Sequence, residues 1–196
     1  MIIDISQEIL SCTVYPGDPV PEAKKLMDMD KGDVYNLTTF SMCAHNGTHV
    51  DAPAHFIQGG KTVDRMPPQA FVGHCWLAHH TGLMTASQAV DILAQAQAGG
   101  AVQRILIAGD SVITADAARV FAQGKILLIG VESQSVGPLD APMEVHKILL
   151  SQEIVLLEGL VLKDIPRGRY FLSALPLNIA GAEGAPCRAY LTGKDL

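Results

Sequence analysis

The second half of the chain contains two apolar runs separated by a helical pattern. RILIAG at 104–109 and KILLIGV at 125–131 have the continuous apolar character of strands that are buried on both faces. Between them, residues 115–123 show a helical pattern that ends at Gly124. A strand, a helix and a second strand in this order place the two strands parallel in one sheet. The pattern therefore predicts an α/β fold.

Other elements are predicted on both sides of this unit. Thr85 and Gln88 have the spacing of a capping box before a helix that stops at the double glycine 99–100. A further helix is predicted over about 142–150, begun by Asp140. The apolar runs IVLLEGLVL and YFLSALPLNIAG follow it and predict more strands.

The first half reads as irregular and rich in strands. PGDPVPE at 16–22 predicts a turn region, because three prolines and a glycine exclude regular structure. A strand is predicted at about 36–44, with Phe40, Met42 and Ala44 on a more apolar face, and it would lead the chain directly to His45. With no repeat or linker in view, we expect one domain over residues 1–196 with a mixed sheet.

Composition and charge exclude several classes of protein. Apolar residues make up 48% of the 196 residues and charged residues 17%, which favours a compact globule. The net charge of −6, without a cluster of Lys and Arg, argues against nucleic-acid binding. No apolar run reaches the roughly 18 residues of a membrane span, and MIIDISQEIL lacks a basic leader, so a cytoplasmic location is expected. The four cysteines form no CxxC pair and are expected to be reduced, buried thiols.

The segment HNGTHVDAPAHF at 45–56 places His45, His49, Asp51 and His55 at even spacings. A fully extended chain would spread the outer two by roughly 33 Å, too far for one site. Asn46-Gly47 and Ala52-Pro53 supply the bends that would gather the four side chains. Imidazole and carboxylate ligands without thiolates suit a catalytic Zn²⁺ or another first-row divalent ion, which would activate water at neutral pH. The alternative is three histidines that bind no metal.

The fixed positions of this segment, H-x-G-T-H-x-D-x-P-x-H, match the motif of the cyclase-like metal-dependent hydrolases, which include bacterial kynurenine formamidase. VYPGDP, LLIGVESQSVGP and EGLVLKDIPRGRYFLSALPLNIAGAEGAPCRAYL resemble family segments in the same order. The resemblance implies a swivelling β/β/α-type fold, one or two divalent ions, with Zn²⁺ expected first and Mn²⁺ as the alternative, and a homodimer or homotetramer. It also implies a set of metal ligands: His45, His49, Asp51, His146 and Glu158.

Within the same resemblance, His55 is the general acid and base rather than a permanent ligand, although a role as a further ligand stays open. Tyr15 stands where kynurenine formamidases carry a tryptophan, and it is expected to contact the substrate; the alternative is an aromatic cap on the core. VHK around His146 replaces a pair of histidines. His74, His79 and His80 are interpreted as sheet-edge or surface residues.

The activity that the resemblance implies is hydrolysis of a non-peptide C–N bond in a small molecule. An aryl formamide such as N-formylkynurenine is the first expectation, with attack by metal-bound hydroxide and with His55 moving the proton. A cyclic amide or lactone similar to isatin is the alternative, since pocket shape decides between them. A non-catalytic small-molecule binder that kept its metal is the hypothesis from another class.

Overall fold

A computed structural model describes residues 1–193, with thirteen strands and three α-helices among them. The strands are β1 Ile2–Asp4, β2 Glu22–Met27, β3 Leu37–Ser41, β4 His49–Asp51, β5 Val72–His79, β6 Gly82–Met84, β7 Arg104–Ala108, β8 Ser111–Ile113, β9 Leu128–Val131, β10 Val155–Glu158, β11 Gly168–Ser173, β12 Gly184–Pro186 and β13 Tyr190–Thr192. The helices are α1 Ala86–Ala98, α2 Ala115–Gln123 and α3 Met143–Leu150.

Nine strands form one large sheet in the order β1-β13-β11-β5-β7-β9-β10-β4-β12. The central strands β5, β7, β9 and β10 run parallel to their neighbours in that group, and the outer pairs are antiparallel. The predicted parallel pair is therefore present as β7 and β9, with α2 in the connection between them. The predicted α/β class with a mixed sheet is confirmed.

The two faces of the large sheet are buried in different ways. One face packs against the helices, through residues such as Ile107, Ile129 and Leu156 of the sheet and Phe121 of α2. The other face forms a second core from residues that include Val50 and the alternate residues of the same strands. Because successive side chains of a strand point to opposite faces, each central strand contributes to both cores.

The helix ends follow the predicted signals in two helices and differ in the third. Thr85 and Gln88 form a reciprocal capping box at α1, and α2 ends at Gly124 as predicted. The prediction that Asp140 begins α3 is wrong. The residue before α3 is Pro142, and no side chain caps this end of the helix. The carbonyl of Pro142 instead accepts bonds from the backbone and ring of His146.

The predicted strand at 36–44 is shorter than expected and does not lead directly to His45. It ends at Ser41, and the chain then continues through irregular residues into a turn that includes His45. This strand, β3, pairs with β2 in a separate two-stranded hairpin whose residues are largely exposed. Phe40, which we placed on the apolar face, is 61% exposed. The alternating pattern indicated a strand correctly, but in the described chain the face that carries Phe40 is not buried in a hydrophobic core.

Smaller differences occur elsewhere. The strand predicted at 125–131 begins only at Leu128, and Lys125 has a left-handed backbone conformation, with φ of 53°, that a strand cannot contain. The four cysteines are free as expected, but only Cys75 is fully buried, and Cys12, Cys43 and Cys187 are partly exposed. Within residues 1–193, no helix combines the length and apolar character needed to cross a membrane.

Candidate metal centre

The pairing of β4 with β10 places two residues of the motif beside Glu158. In this antiparallel pair His49 lies opposite Glu158, and Asp51 lies opposite Leu156. Leu156 belongs to the core beneath the helices, so His49, Asp51 and Glu158 point to the same helix-covered face. The intervening Val50 points into the other core. The strand register therefore brings two carboxylates and an imidazole together.

Helix α3 adds a second imidazole from above this face. His146 lies in the first half of α3 and is buried, as are the neighbouring core residues Val145 and Leu149. Its Nδ1 lies 2.8 Å from the carbonyl oxygen of Pro142. This contact fixes the ring so that its Nε2 faces Glu158 and Asp51.

The two predicted bends bring the remaining histidines to the same point. Gly47 has a φ of 62°, and residues 53–55 form one turn of 3₁₀ helix that begins at Pro53. The rings of His45 and His55 then lie 4.1 Å apart, measured between centroids. The His45 ring also passes close over Gly184, where an added Cβ would be 2.6 Å from its Cε1 atom, so this position requires glycine.

The distances around the cluster are those of ligand atoms that share a centre. His49 Nε2 lies 3.4 Å from Glu158 Oε2 and 3.6 Å from Asp51 Oδ1. His146 Nε2 lies 3.4 Å from Glu158 Oε1 and 3.7 Å from Asp51 Oδ2. Two ligands of a tetrahedral zinc at about 2.0–2.1 Å are separated by roughly 3.3 Å. These contacts are longer than ordinary charge-assisted hydrogen bonds, which are about 2.7–2.9 Å.

The chemistry of these atoms fits a cation. The Nδ1 atoms of His49 and His146 both face backbone carbonyl oxygens, which makes each Nδ1 the donor and leaves Nε2 with a lone pair. Both Nε2 atoms then face carboxylate oxygens, an arrangement of acceptors against acceptors unless a proton or a metal ion lies between them. Asp51 Oδ2 is buried without a hydrogen-bond partner in the described chain. A divalent ion would satisfy all of these groups.

Two sets of side chains have ligand atoms within 4.8 Å of one another, and Asp51 belongs to both. One set contains His45, Asp51 and His55, and the other contains His49, Asp51 and Glu158. His146 borders the second set through its contacts with Asp51 and Glu158. The geometry therefore accommodates one ion or two that share Asp51.

Without a metal, protons take its place in the cluster. Burial disfavours a charged His45 ring, but the hydrogen bond and charge of Asp51, together with Glu183, outweigh burial and raise the pKa of His45 to about 9. Burial raises the pKa of Asp51, but the hydrogen bond from His45 and the charges of the surrounding histidines outweigh burial and hold this pKa below its usual range. Burial also lowers the pKa of His55, which leaves this ring neutral at neutral pH. Protons and metal ions thus compete for the same nitrogen atoms.

We expect the metal-free protein to lose stability as the pH rises from about 6.5 to about 9. A group whose pKa is raised by folding stabilises the native state below its unfolded pKa, and this contribution is lost as the pH passes its folded pKa. The raised pKa of His45 thus predicts a fall of roughly 1.4 kcal/mol per pH unit in the free energy of unfolding. Urea unfolding of the metal-free protein, repeated between pH 6.5 and 9, measures this change in the free energy of unfolding. A flat or rising profile would contradict the prediction, and His45→Ala should make the fall less steep, because His49 and His146, whose pKa values are also raised, remain.

The cluster opens into a cavity of about 240 Å³. Besides the histidines and Glu158, its wall includes Tyr15, Phe56 and Ser135. The Tyr15 hydroxyl donates to the carbonyl oxygen of Leu139 at 2.7 Å, which ties the N-terminal loop across the cavity. A larger groove of about 680 Å³ lies elsewhere, beside Phe40, but its wall contains no histidine. The smaller cavity is therefore the candidate active site.

Sequence reasoning missed Glu183, whose Oε1 lies 3.2 Å from His45 Nε2. The residue sits in a loop next to β12, and β12 is adjacent to β4 in the sheet. Only its position beside Gly184, within a glycine-rich segment, could have drawn attention to it. His74, His79 and His80 lie away from the cavity: the first two are exposed, and the third contacts Ser111 Oγ. A surface location for these three was expected, although β5, which carries two of them, lies inside the sheet.

The Cyclase family model, described as "Putative cyclase", matches residues 3–138 of the chain. The chain belongs to the Cyclase family. Two kynurenine formamidases are similar to it over nearly their whole length. The one from Salinibacter ruber is 34% identical over 97% of this chain and 96% of its own. The one from Erythrobacter litoralis is 32% identical over 97% of this chain and 93% of its own.

Solved structures extend the comparison to the Cyclase fold. A potential metal-dependent hydrolase with cyclase activity has a TM-score of 0.80 at 27% identity and covers 97% of this chain and 96% of that chain. An isatin hydrolase bound to the product analogue thioisatinate has a TM-score of 0.82 at 20% identity, with 98% and 92% covered, which is a likeness of fold. The prediction of a cyclase-like, metal-dependent amide hydrolase is confirmed.

Proposed function

We propose that this protein hydrolyses the C–N bond of an aryl formamide such as N-formylkynurenine, with a divalent metal ion in the His/Asp/Glu cluster. The observation that carries the proposal is the buried Asp51 carboxylate: its unpartnered Oδ2 faces His146 Nε2 and its Oδ1 faces His49 Nε2, and both nitrogens have a lone pair available for a metal ion. The two kynurenine formamidase relatives support the substrate class. Aromatic side chains in the cavity wall, Tyr15 and Phe56, suit a small aryl group.

The ligands that we propose are His45, His49, Asp51, His146 and Glu158, for one ion or two. When bound, such an ion acts as a Lewis acid toward water and toward a carbonyl oxygen. Nitrogen and carboxylate oxygen ligands suit Zn²⁺ first and Mn²⁺ as the alternative. The carbonyls of Gly47 and Pro142 orient two of the imidazoles, a supporting role that commonly tunes metal affinity.

We propose that His55 transfers the protons of the reaction. Its side chain is 27% exposed and borders the cavity, whereas those of His49 and His146 are almost completely buried. Its Nε2 lies 4.0 Å from Asp51 Oδ2, and its ring packs edge to face on Phe56 with centroids 4.5 Å apart. A neutral imidazole held in this way can accept a proton from water and deliver it to the departing nitrogen.

A substrate panel tests the proposed activity. Protein reconstituted with Zn²⁺ or Mn²⁺ is assayed against aryl formamides, cyclic imides, isatin-like lactams and lactones. We expect the highest kcat/KM for an aryl formamide. Preference for a lactam or lactone would favour the alternative reaction on the same centre, and turnover of none of them, with metal bound, would favour a non-catalytic binder.

Tyr15→Ala is expected to raise KM for aryl formamides by roughly 3- to 10-fold, because an aromatic contact contributes about 0.5–1.5 kcal/mol beyond area burial. Metal content should stay unchanged, because Tyr15 offers no ligand to the cluster. Tyr15→Phe is the matched control: it keeps the ring and removes only the bond to Leu139. A normal KM together with a lowered Tm in Tyr15→Ala would instead identify an aromatic cap on the core.

We further propose that the protein is a cytoplasmic homodimer or homotetramer. The β2–β3 hairpin supports association, because a two-stranded hairpin is marginal in water and this one exposes Leu26, Val34 and Phe40. The four unpaired cysteines suit a reducing compartment. Sedimentation equilibrium measures the assembly, and a monomer at micromolar concentration would contradict this proposal.

A further inference from the structure

Ser135 is a buried serine whose hydroxyl has no hydrogen-bond partner in the described chain. Ser135 is 2% exposed, and its Oγ atom contacts neither a hydrogen-bond donor nor an acceptor in the described chain. Nearly all buried polar groups in folded proteins are hydrogen-bonded, since an unsatisfied group forfeits its interaction with water. A hydroxyl without a protein partner is therefore a group that requires an explanation.

Ser135 lies in the wall of the cavity, together with His146 and Glu158. The backbone around it is fixed on both sides. The Ser135 amide donates to Ser133 Oγ at 3.2 Å, and the Val136 amide donates to Glu158 Oε1 at 2.8 Å. The Val136 carbonyl accepts from Ile113. Because this segment is anchored, the side chain is held at the cavity wall.

Two other neutral polar groups line the same cavity, and both are already bonded to the protein. The Tyr15 hydroxyl donates to Leu139. The Gln134 amide, oriented with its nitrogen toward the carbonyl oxygens of Thr13 and Gly47, also accepts from Gln7 Nε2 at 2.9 Å. Apart from the His55 ring, Ser135 is thus the neutral hydrogen-bonding side chain of this cavity that the described chain leaves unused.

We propose that Ser135 is a substrate-binding residue whose hydroxyl donates a hydrogen bond to a carbonyl oxygen of the amide substrate. Glu158 and Asp18 supply only acceptors to this cavity, so a substrate oxygen there requires a donor. A carbonyl oxygen only accepts hydrogen bonds, and it is therefore a suitable partner for a hydroxyl donor. This inference rests on the proposed function, because the substrate it describes is the proposed small amide.

The test compares two equally buried serines. Ser111 is also 2% exposed, but its hydroxyl lies 2.9 Å from His80 Nδ1, and Ser111 is not part of the cavity wall. Ser135→Ala should raise KM for N-formylkynurenine by about 5- to 10-fold, the usual worth of one hydrogen bond. Its metal content should be unchanged and its Tm unchanged or higher, because no protein bond is lost. Ser111→Ala should leave KM unchanged and lower Tm by about 2–4 °C.

A second measurement keeps this inference separate from the proposed function. Binding of 2-aminoacetophenone, a ketone without a scissile amide, is measured by calorimetry on the metal-loaded protein. If the wild type binds this probe about 5- to 10-fold more tightly than Ser135→Ala does, the inference stands, even if no formamide is hydrolysed. If the two proteins bind the probe equally and have the same KM, or if Ser135→Ala loses Tm with normal KM, the inference is overturned. Failure of the wild type to bind the probe also overturns it.

Discussion

His55→Ala is expected to keep its fold and its metal but to lose roughly 10²- to 10⁴-fold in kcat for aryl formamides, the usual contribution of a general acid or base. Its ring lies at the edge of the cavity rather than among the buried groups, so its removal leaves no buried charge unpaired. The departing nitrogen of an amide needs a proton, and in this variant only water can supply it. Steady-state kinetics with parallel metal analysis measures the effect.

An ester substrate is the decisive control for the same variant. An activated ester such as a nitrophenyl formate has a leaving group that needs no proton, so the loss caused by His55→Ala should shrink for it. His55 also belongs to one of the two sets of side chains that could hold an ion, together with His45 and Asp51. If the variant loses its metal, or loses the same factor on both substrate types, His55 is a ligand or a positioning residue and our assignment is wrong.

The bends within the histidine motif were predictable because they depend on local chemistry. Gly47 adopts the positive φ that its sequence position suggested, and Pro53 begins the short turn that brings His55 back toward the cluster. Helix α1 was predictable for the same reason, since its capping box involves neighbouring residues. Interactions between residues that are close together in the chain can be recognised from the sequence alone.

The contacts that complete the centre could not be derived from local pattern. Glu158 reaches Asp51 only through the pairing of β4 with β10, and His146 reaches it only because α3 packs over that pair. Both residues came from the family resemblance. Glu183 was missed because the loop before β12 approaches His45 only in the folded sheet.

The prediction for residues 36–44 shows a different limit. Alternation of Phe40 and Met42 with polar residues indicated a strand with an apolar face, and a strand is present over part of the range. The pattern does not say what covers that face. In the described chain Phe40 is exposed on a hairpin that pairs only with itself, so the burial that we assumed is absent.

Asp51→Asn should have the largest effect on the centre, because Asp51 belongs to both sets of candidate ligands and contacts four histidines. The substitution keeps the shape of the side chain and removes its charge. We expect metal affinity to fall by more than about 10²-fold, beyond the usual cost of removing a supporting residue, and activity to fall with metal occupancy. Titration with a competing chelator measures the affinity.

The same variant has a second readout that does not depend on turnover. In the metal-free protein, the charge of Asp51 raises the pKa of His45, so Asp51→Asn should also weaken the loss of stability between pH 6.5 and 9. His80→Ala is the matched control, because His80 contacts Ser111 outside the cavity and should leave both metal affinity and the pH profile unchanged. An Asp51→Asn protein that binds metal as tightly as the wild type would show that the ion is held elsewhere. An unchanged pH profile would show that Asp51 does not set the protonation of His45.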